Sequence, residues 1–372
     1  MELINGRTRL VIDKKDGNIV RIEDARSHLV HVNSTGRQGA EKGRLFTLIV
    51  PRDGWHSRYA DNTISPPPQI RKSGKGLVLK WNSLSCVEGR LPIAAEVSIE
   101  SCGDDEFIFT IKVANRGESE ITDVWFPQIS GWEGQGGKGK DKLVYVGSGS
   151  IDPYMFPMNK GMTYIRCHQR LNFPSVYTYT PWIDLSGPKG GISYMSYHEQ
   201  AKNYSFAFEN LAGHNPGLNL CFGIAHYTRI EKGQTWQSPP MGISVHAGDW
   251  RDTADRYNNW VDTWYVPADT PGWAREAIGF QNIFFRSFDG APVRPLESMP
   301  QVARIGKKYG VNHLCVWYYN SLGNYSRLGN PDILDYSEKE KRILRKALAQ
   351  CKKEGLRTSV LICWNSKGFD RS

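Results

Sequence analysis

Trp317 with Asn320, and Trp364 with Asn365, twice set an indole beside a primary amide towards the C-terminal end of the sequence. Arg286 and Asp289 stand ahead of them, and Asp332 lies between, in "GNPDILD" with Asn330 and Asp335. An indole face can stack on the apolar side of a pyranose, while amide, carboxylate and guanidinium groups exchange hydrogen bonds with its hydroxyls. The set therefore suits a polyhydroxylated ligand. Asp289, Asp332 and Asp370 raise a second chemistry, because hydrolysis of a glycosidic acetal uses two carboxyl groups, about 5–5.5 Å apart for retention and about 6.5–9.5 Å for inversion. Spacing along the sequence shows no such pair. The same residues also have a plainer use, with aromatics packed beneath loops, Asp332 and Asp335 turning or capping the chain, and Asp289 forming a turn with Gly290.

His168, His198, His214, His226 and His246 fall in or beside strand-like runs, and a histidine with a carboxylate could move protons at an anomeric centre. No local motif accompanies them, so they read as satisfied structural histidines. Metal spacing such as H-x-x-x-H, a P-loop and a strand followed by G-x-G-x-x-G are all missing. "GQGGKGK" has the glycines of a phosphate loop but neither its Lys-Ser/Thr ending nor a following helix. Seven scattered cysteines form no C-x-x-C, which indicates neither a disulfide framework nor a zinc site. No cofactor is expected.

The formal charge of +9 sits almost wholly beyond residue 300, much of it in "KEKRILRKALAQCKK". There the charges flank an apolar stripe of Ile343, Leu344, Ala347, Leu348 and Cys351 at helical spacing, which makes them a solvated helix face rather than a nucleic-acid surface. No run approaches 18 apolar residues, so a membrane partner is not expected, and "MELINGRTRL" lacks the apolar core of an export signal. As written the chain is expected in the cytoplasm, or in the periplasm or medium if its start is truncated.

These side chains need elements to position them. From Leu10 to about Val245, short β-type runs alternate with Gly, Pro, Asn and Asp turns, most clearly in "TRLVIDKKDGNIVRIEDA", where two runs meet at Asp16-Gly17. Ten or more such runs predict an antiparallel sandwich over 1–247. "NTISPPPQI" and "SGWEGQGGKGKDK" read as surface loops. Asp249 can cap a helix in which Ala254, Tyr257, Trp260, Val261 and Trp264 recur at helical spacing, giving a linker helix within 248–272.

From 273 to 372 strand and helix alternate. "AIGFQNIFF", "VNHLCVWYY" and "LRTSVLICW" are separated by amphipathic stretches, one opened by a Ser337/Glu340 capping box and closed at Gly355. Alternation of this kind means a parallel sheet, here the first three strands and two helices of a (β/α)₈ TIM barrel. The overall class is β plus α/β, and the chain is expected to be a fragment.

The motifs "TRLVIDKKDGNIVRIED", "VWFPQISG", "PWIDLSGPKGGISYMSYH" and "GDWRDTADRYNNWVDTW", followed by a βαβα run, resemble glycoside-hydrolase-type proteins. The likeness is to the α-galactosidase-like and endo-α-N-acetylgalactosaminidase-like groups and a bacterial relative, and it spans nearly the whole chain. It implies a galactose-mutarotase-like β-supersandwich ahead of a TIM barrel and a carbohydrate ligand. It also implies catalytic carboxylates on the fourth and later barrel strands, so no catalytic residue is carried over and the remainder of the barrel becomes a possible partner. A non-catalytic carbohydrate-binding protein that uses the sandwich stays open as an alternative, as does a sandwich enzyme such as an epimerase.

Overall fold

The computed structural model describes residues 1–37, 42–53, 56–132, 134–147, 149–151, 167–174, 178–199, 202–210, 220–287, 291–317 and 337–360. The chain divides into two compact units, Met1–Tyr265 and Val266–Ser372.

Among the described residues of the first unit, twelve strands form one sheet and ten another, with antiparallel neighbours throughout. Period-two alternation creates the core between them. In Ile93–Cys102 the residues Ile93, Ala95, Val97 and Ile99 point inward, and their partners on Glu106–Asn115 include Val113, Ile111 and Phe109. Leu10, Ile12, Ile22, Leu48, Phe126 and Ile129 meet them from the other sheet, within one continuous cluster. Each fully buried side chain of this size contributes roughly 1.5–3 kcal/mol relative to exposure.

The Asp16-Gly17 turn joins Thr8–Ile12 to Ile19–Asp24 as the sequence predicts. Gly17 has φ +77°, and a Cβ there would lie 2.9 Å from the Trp81 ring, so both backbone and space require glycine. The Gly/Lys-rich stretch is more ordered than a solvent-crossing loop. Asp141 is fully buried, and its carboxylate accepts from the backbone N–H groups of Gln135, Gly136 and Gly137 at 2.8–3.1 Å.

Strands Thr178–Gly187 and Gly190–Ser196 form a hairpin, and the second is buried at every position. Their outer side is covered by the helix Trp250–Val261, which Asp249 caps through the Arg251 N–H. The aromatic stripe of this helix is only half-buried. Its buried residue is polar, Thr253.

The second unit contains three parallel strands, Gln281–Phe284, His313–Trp317 and Arg357–Val360, in sequence order. Helices Met299–Lys308 and Glu338–Lys353 pack on one face, where Ile283, Phe285, Leu314 and Val316 meet Met299, Ala303, Ala347 and Cys351. Pro300 sits in the first turn of its helix, where the missing N–H costs nothing. The capping box is complete, and Gly355 ends the second helix at φ +69°. The architecture is an antiparallel sandwich followed by a unit built like the opening of a barrel.

Candidate functional site

In parallel β/α folds ligands meet the C-terminal ends of the strands. Arg286 follows the first strand by two residues, and Trp317 is the last residue of the second, in register with Phe284. Asp289, Asn320, Asp332, Trp364 and Asn365 lie outside the described residues, as do Tyr318, Asn330, Asp335 and Asp370.

The Arg286 guanidinium is mostly buried and donates to Glu340 Oε1 at 2.7 Å. Glu340 Oε2 accepts from the Ser337 N–H at 2.9 Å and its hydroxyl at 2.8 Å. These bonds, with the charge of Arg286, hold the Glu340 carboxyl below its ordinary pKa. Arg286 therefore ties the end of the first strand to the start of the second helix. Sequence reading found both the arginine and the capping box but could not join them, because 54 residues separate the partners.

The opposite end of the sheet is closed. The Trp273 ring lies under the Arg357 guanidinium, 4.3 Å from its centroid, and meets the His313 ring edge-on at 5.5 Å. His313 and Arg357 each begin a strand. On the face away from the helices, His313 Nε2 and the Ser359 hydroxyl are 2.9 Å apart. Asn282, Phe284 and Cys315 share that face by alternation with the core residues. A mixed polar and aromatic face of this kind can receive hydroxyl groups and an apolar ring.

Of the sandwich histidines, His226 and His246 have side-chain partners, and His214 lies outside the described residues. His246 Nε2 donates to Asp184 Oδ2 at 2.7 Å, and the Thr253 hydroxyl donates to the same oxygen at 2.6 Å. Burial opposes a charged His246, yet the Asp184 bond and the charges of Asp184 and Asp252 outweigh it and raise its pKa. The ring borders a cleft of about 590 Å³ that Arg7, Asp105, Asp252 and Arg256 also line. Neighbouring His31 is pushed down to about 4 by burial and by the His246 charge. His226 is also buried and donates from Nε2 to the Phe126 carbonyl at 3.1 Å.

Glu106 escaped sequence reading. Both its oxygens lie within 2.8 Å of the Tyr197 hydroxyl, and burial, with a smaller push from Asp105, raises it to about 7 against the pull of Arg256 and Tyr197. Neither Glu106 nor Asp184 has a local motif, since their partners lie 62 to 91 positions away. The one available signal was an acidic residue inside an otherwise buried strand.

Among the described residues no group of three or more His, Cys, Asp or Glu is placed to hold a metal ion, and no helix is long and apolar enough to cross a membrane.

No protein-family model and no curated protein matches the chain. Similar solved structures include the GH36 α-galactosidase AgaB from Geobacillus stearothermophilus, with 9% identity over 96% of this chain and 55% of that one, TM-score 0.47. The α-galactosidase from Lactobacillus brevis has 10% identity over 97% of this chain and 54% of that one, TM-score 0.42. A galactose mutarotase-like protein from Lactobacillus casei has 8% identity over 66% of this chain and 99% of that one, TM-score 0.44. The chain thus spans about half the length of the α-galactosidases it matches. Similarity at this level bears on neither activity nor substrate.

Proposed function

We propose that this chain is the N-terminal part of a glycoside hydrolase, in which the antiparallel unit is scaffold and the parallel unit begins the barrel that carries the chemistry. One observation supports this above the rest. Three parallel strands in sequence order carry helices on one face and mixed polar and aromatic side chains on the other, directly after an antiparallel sandwich. The order of the sequence motifs points the same way.

In this proposal the strand ends lodge one sugar ring. Trp317 and Trp364 stack on its apolar face, while Asn320, Asn365, Asp289, Asp332 and Arg286 address its hydroxyls. The nucleophile and the acid belong to later strands, and cleavage passes through an oxocarbenium-like transition state. The 372-residue chain by itself is therefore expected to leave nitrophenyl galactosides, glucosides and N-acetylgalactosaminides of either anomer intact. Saturable release of nitrophenol that Asp289→Asn or Asp332→Asn abolishes would place the acids within this chain and overturn that assignment. The family reading has its own check in the coding sequence past Ser372. An open frame there with helix-strand alternation and a strand ending in aspartate supports it, and its absence refutes it.

A further inference from the structure

The strand Tyr204–Asn210 begins opposite His226, whereas its neighbour Leu220–Ile230 runs on to Ile230. Past Tyr204 that neighbour loses its described partner on one side, leaving a notch in the sheet. The short strand Thr235–Gln237 and the turn after it form the opposite wall. The notch encloses about 270 Å³, lined among others by Lys202, Asn203, His226, Tyr227, Trp236 and Gln237.

We infer that this notch binds a single uncharged pyranose. The inference goes beyond the proposed function, because the notch lies within the first unit and uses none of the strand-end residues. Its volume suits one hexose ring. Tyr227 is 44% exposed, and Trp236 is half-buried with its ring centroid 5.4 Å from that of His226. Two aromatic side chains of this kind supply faces for the C–H side of a sugar. The exposed Lys202, Asn203 and Gln237 supply donors and acceptors at the rim. His226 gives its Nε2 proton to the Phe126 carbonyl, so in the neutral ring Nδ1 is an acceptor for a hydroxyl. Burial holds that imidazole neutral at pH 7. A purely apolar guest would strand the rim amides.

Saturation-transfer NMR on the full chain tests this with methyl α-D-galactopyranoside and methyl α-D-glucopyranoside. Transfer to ring protons is expected, with Kd on the order of 1 mM for so small a ligand. Tyr227→Ala and Gln237→Ala should each weaken binding at least about fivefold, the loss of one stacking face or one hydrogen bond. Tyr59→Ala, at an exposed position outside both proposed sites, should leave it unchanged. Gln237 is exposed, so its variant carries the test should Tyr227→Ala fail to fold. Absence of transfer to either glycoside, or full-strength transfer in both notch variants, would overturn the inference. Transfer abolished only by Trp317→Ala or Trp364→Ala would also overturn it, while supporting the proposed barrel site.

Discussion

The Thr253 hydroxyl donates to Asp184 at 2.6 Å, across the seam between a helix and the outer side of a β-hairpin, and Asp184 is fully buried. The carboxylate is held by two donors on one oxygen, the second being His246. Such a charge is tolerated inside a protein because it is bonded and faces a cation.

Asp184→Asn should therefore destabilise the first unit by about 2–4 kcal/mol, read as a lower urea midpoint. The loss should depend on pH. Because the folded pKa of His246 is raised above its ordinary 6.5, its ionic contribution is complete below about pH 6.5 and fades as pH rises through the higher folded value. Asp252 reinforces that charge, and His31 stays neutral above about 4. The gap between wild type and variant should be wider at pH 6 than at pH 9, and an equal gap at both would refute the charged pairing.

Glu106 should act with the same sign from an acid. Its folded pKa of about 7 exceeds the ordinary 4.5, so the folded state holds a proton that the unfolded chain releases. Stability from this group is complete below about pH 4.5 and is lost as pH rises through 7. Glu106→Gln, which stays neutral, should gain on wild type between pH 5 and pH 8 by roughly 2–3 kcal/mol. Parallel denaturant curves at the two pH values measure it, and a constant difference counts against the assignment.

Arg286 and Glu340 should couple in a double-mutant cycle. Arg286→Ala and Glu340→Gln are each expected to cost the second unit about 1–2 kcal/mol, with a combined effect smaller than their sum. Amide exchange should quicken first at Lys341 and the next turn of the helix. Additive effects would mean that the 2.7 Å contact does not bind strand to helix.

Trp273→Ala should loosen the N-terminal ends of the second and third parallel strands. The lost contact with Arg357 accounts for about 0.5–1 kcal/mol, and lost packing against His313 adds to it. Faster exchange at Leu314 and Thr358, with Val316 less affected, is the expected pattern. Uniform protection would show that the ring is ornamental.

What the sequence revealed was local. The Asp16-Gly17 hairpin, the Asp249 cap, the Ser337/Glu340 box and the β-type runs each follow from residues a few positions apart. Their physical signals are φ preference, orphan N–H groups and side-chain period. Parallel pairing in the second unit was also legible, since alternating strands and helices leave few other arrangements. The polar constructions were not. Asp184 needs Thr253 and His246, Glu106 needs Tyr197, and Asp141 collects three glycine-loop amides that composition had assigned to solvent. The notch beside Tyr227 arises from one strand stopping before its neighbour, a length mismatch with no residue signature. Of the strand-end residues picked out for sugar chemistry, Arg286 is the one whose side chain is described, and its bond to Glu340 came from the fold.

The indole beneath Arg357 divides labour within the second unit. Foundations gather where the parallel strands start, so cohesion there is independent of whatever sequence follows Phe284, Trp317 or Val360. Under the proposed function, the segments that follow these strands can diverge between relatives and change the guest that is recognised, while the footing beneath them stays the same.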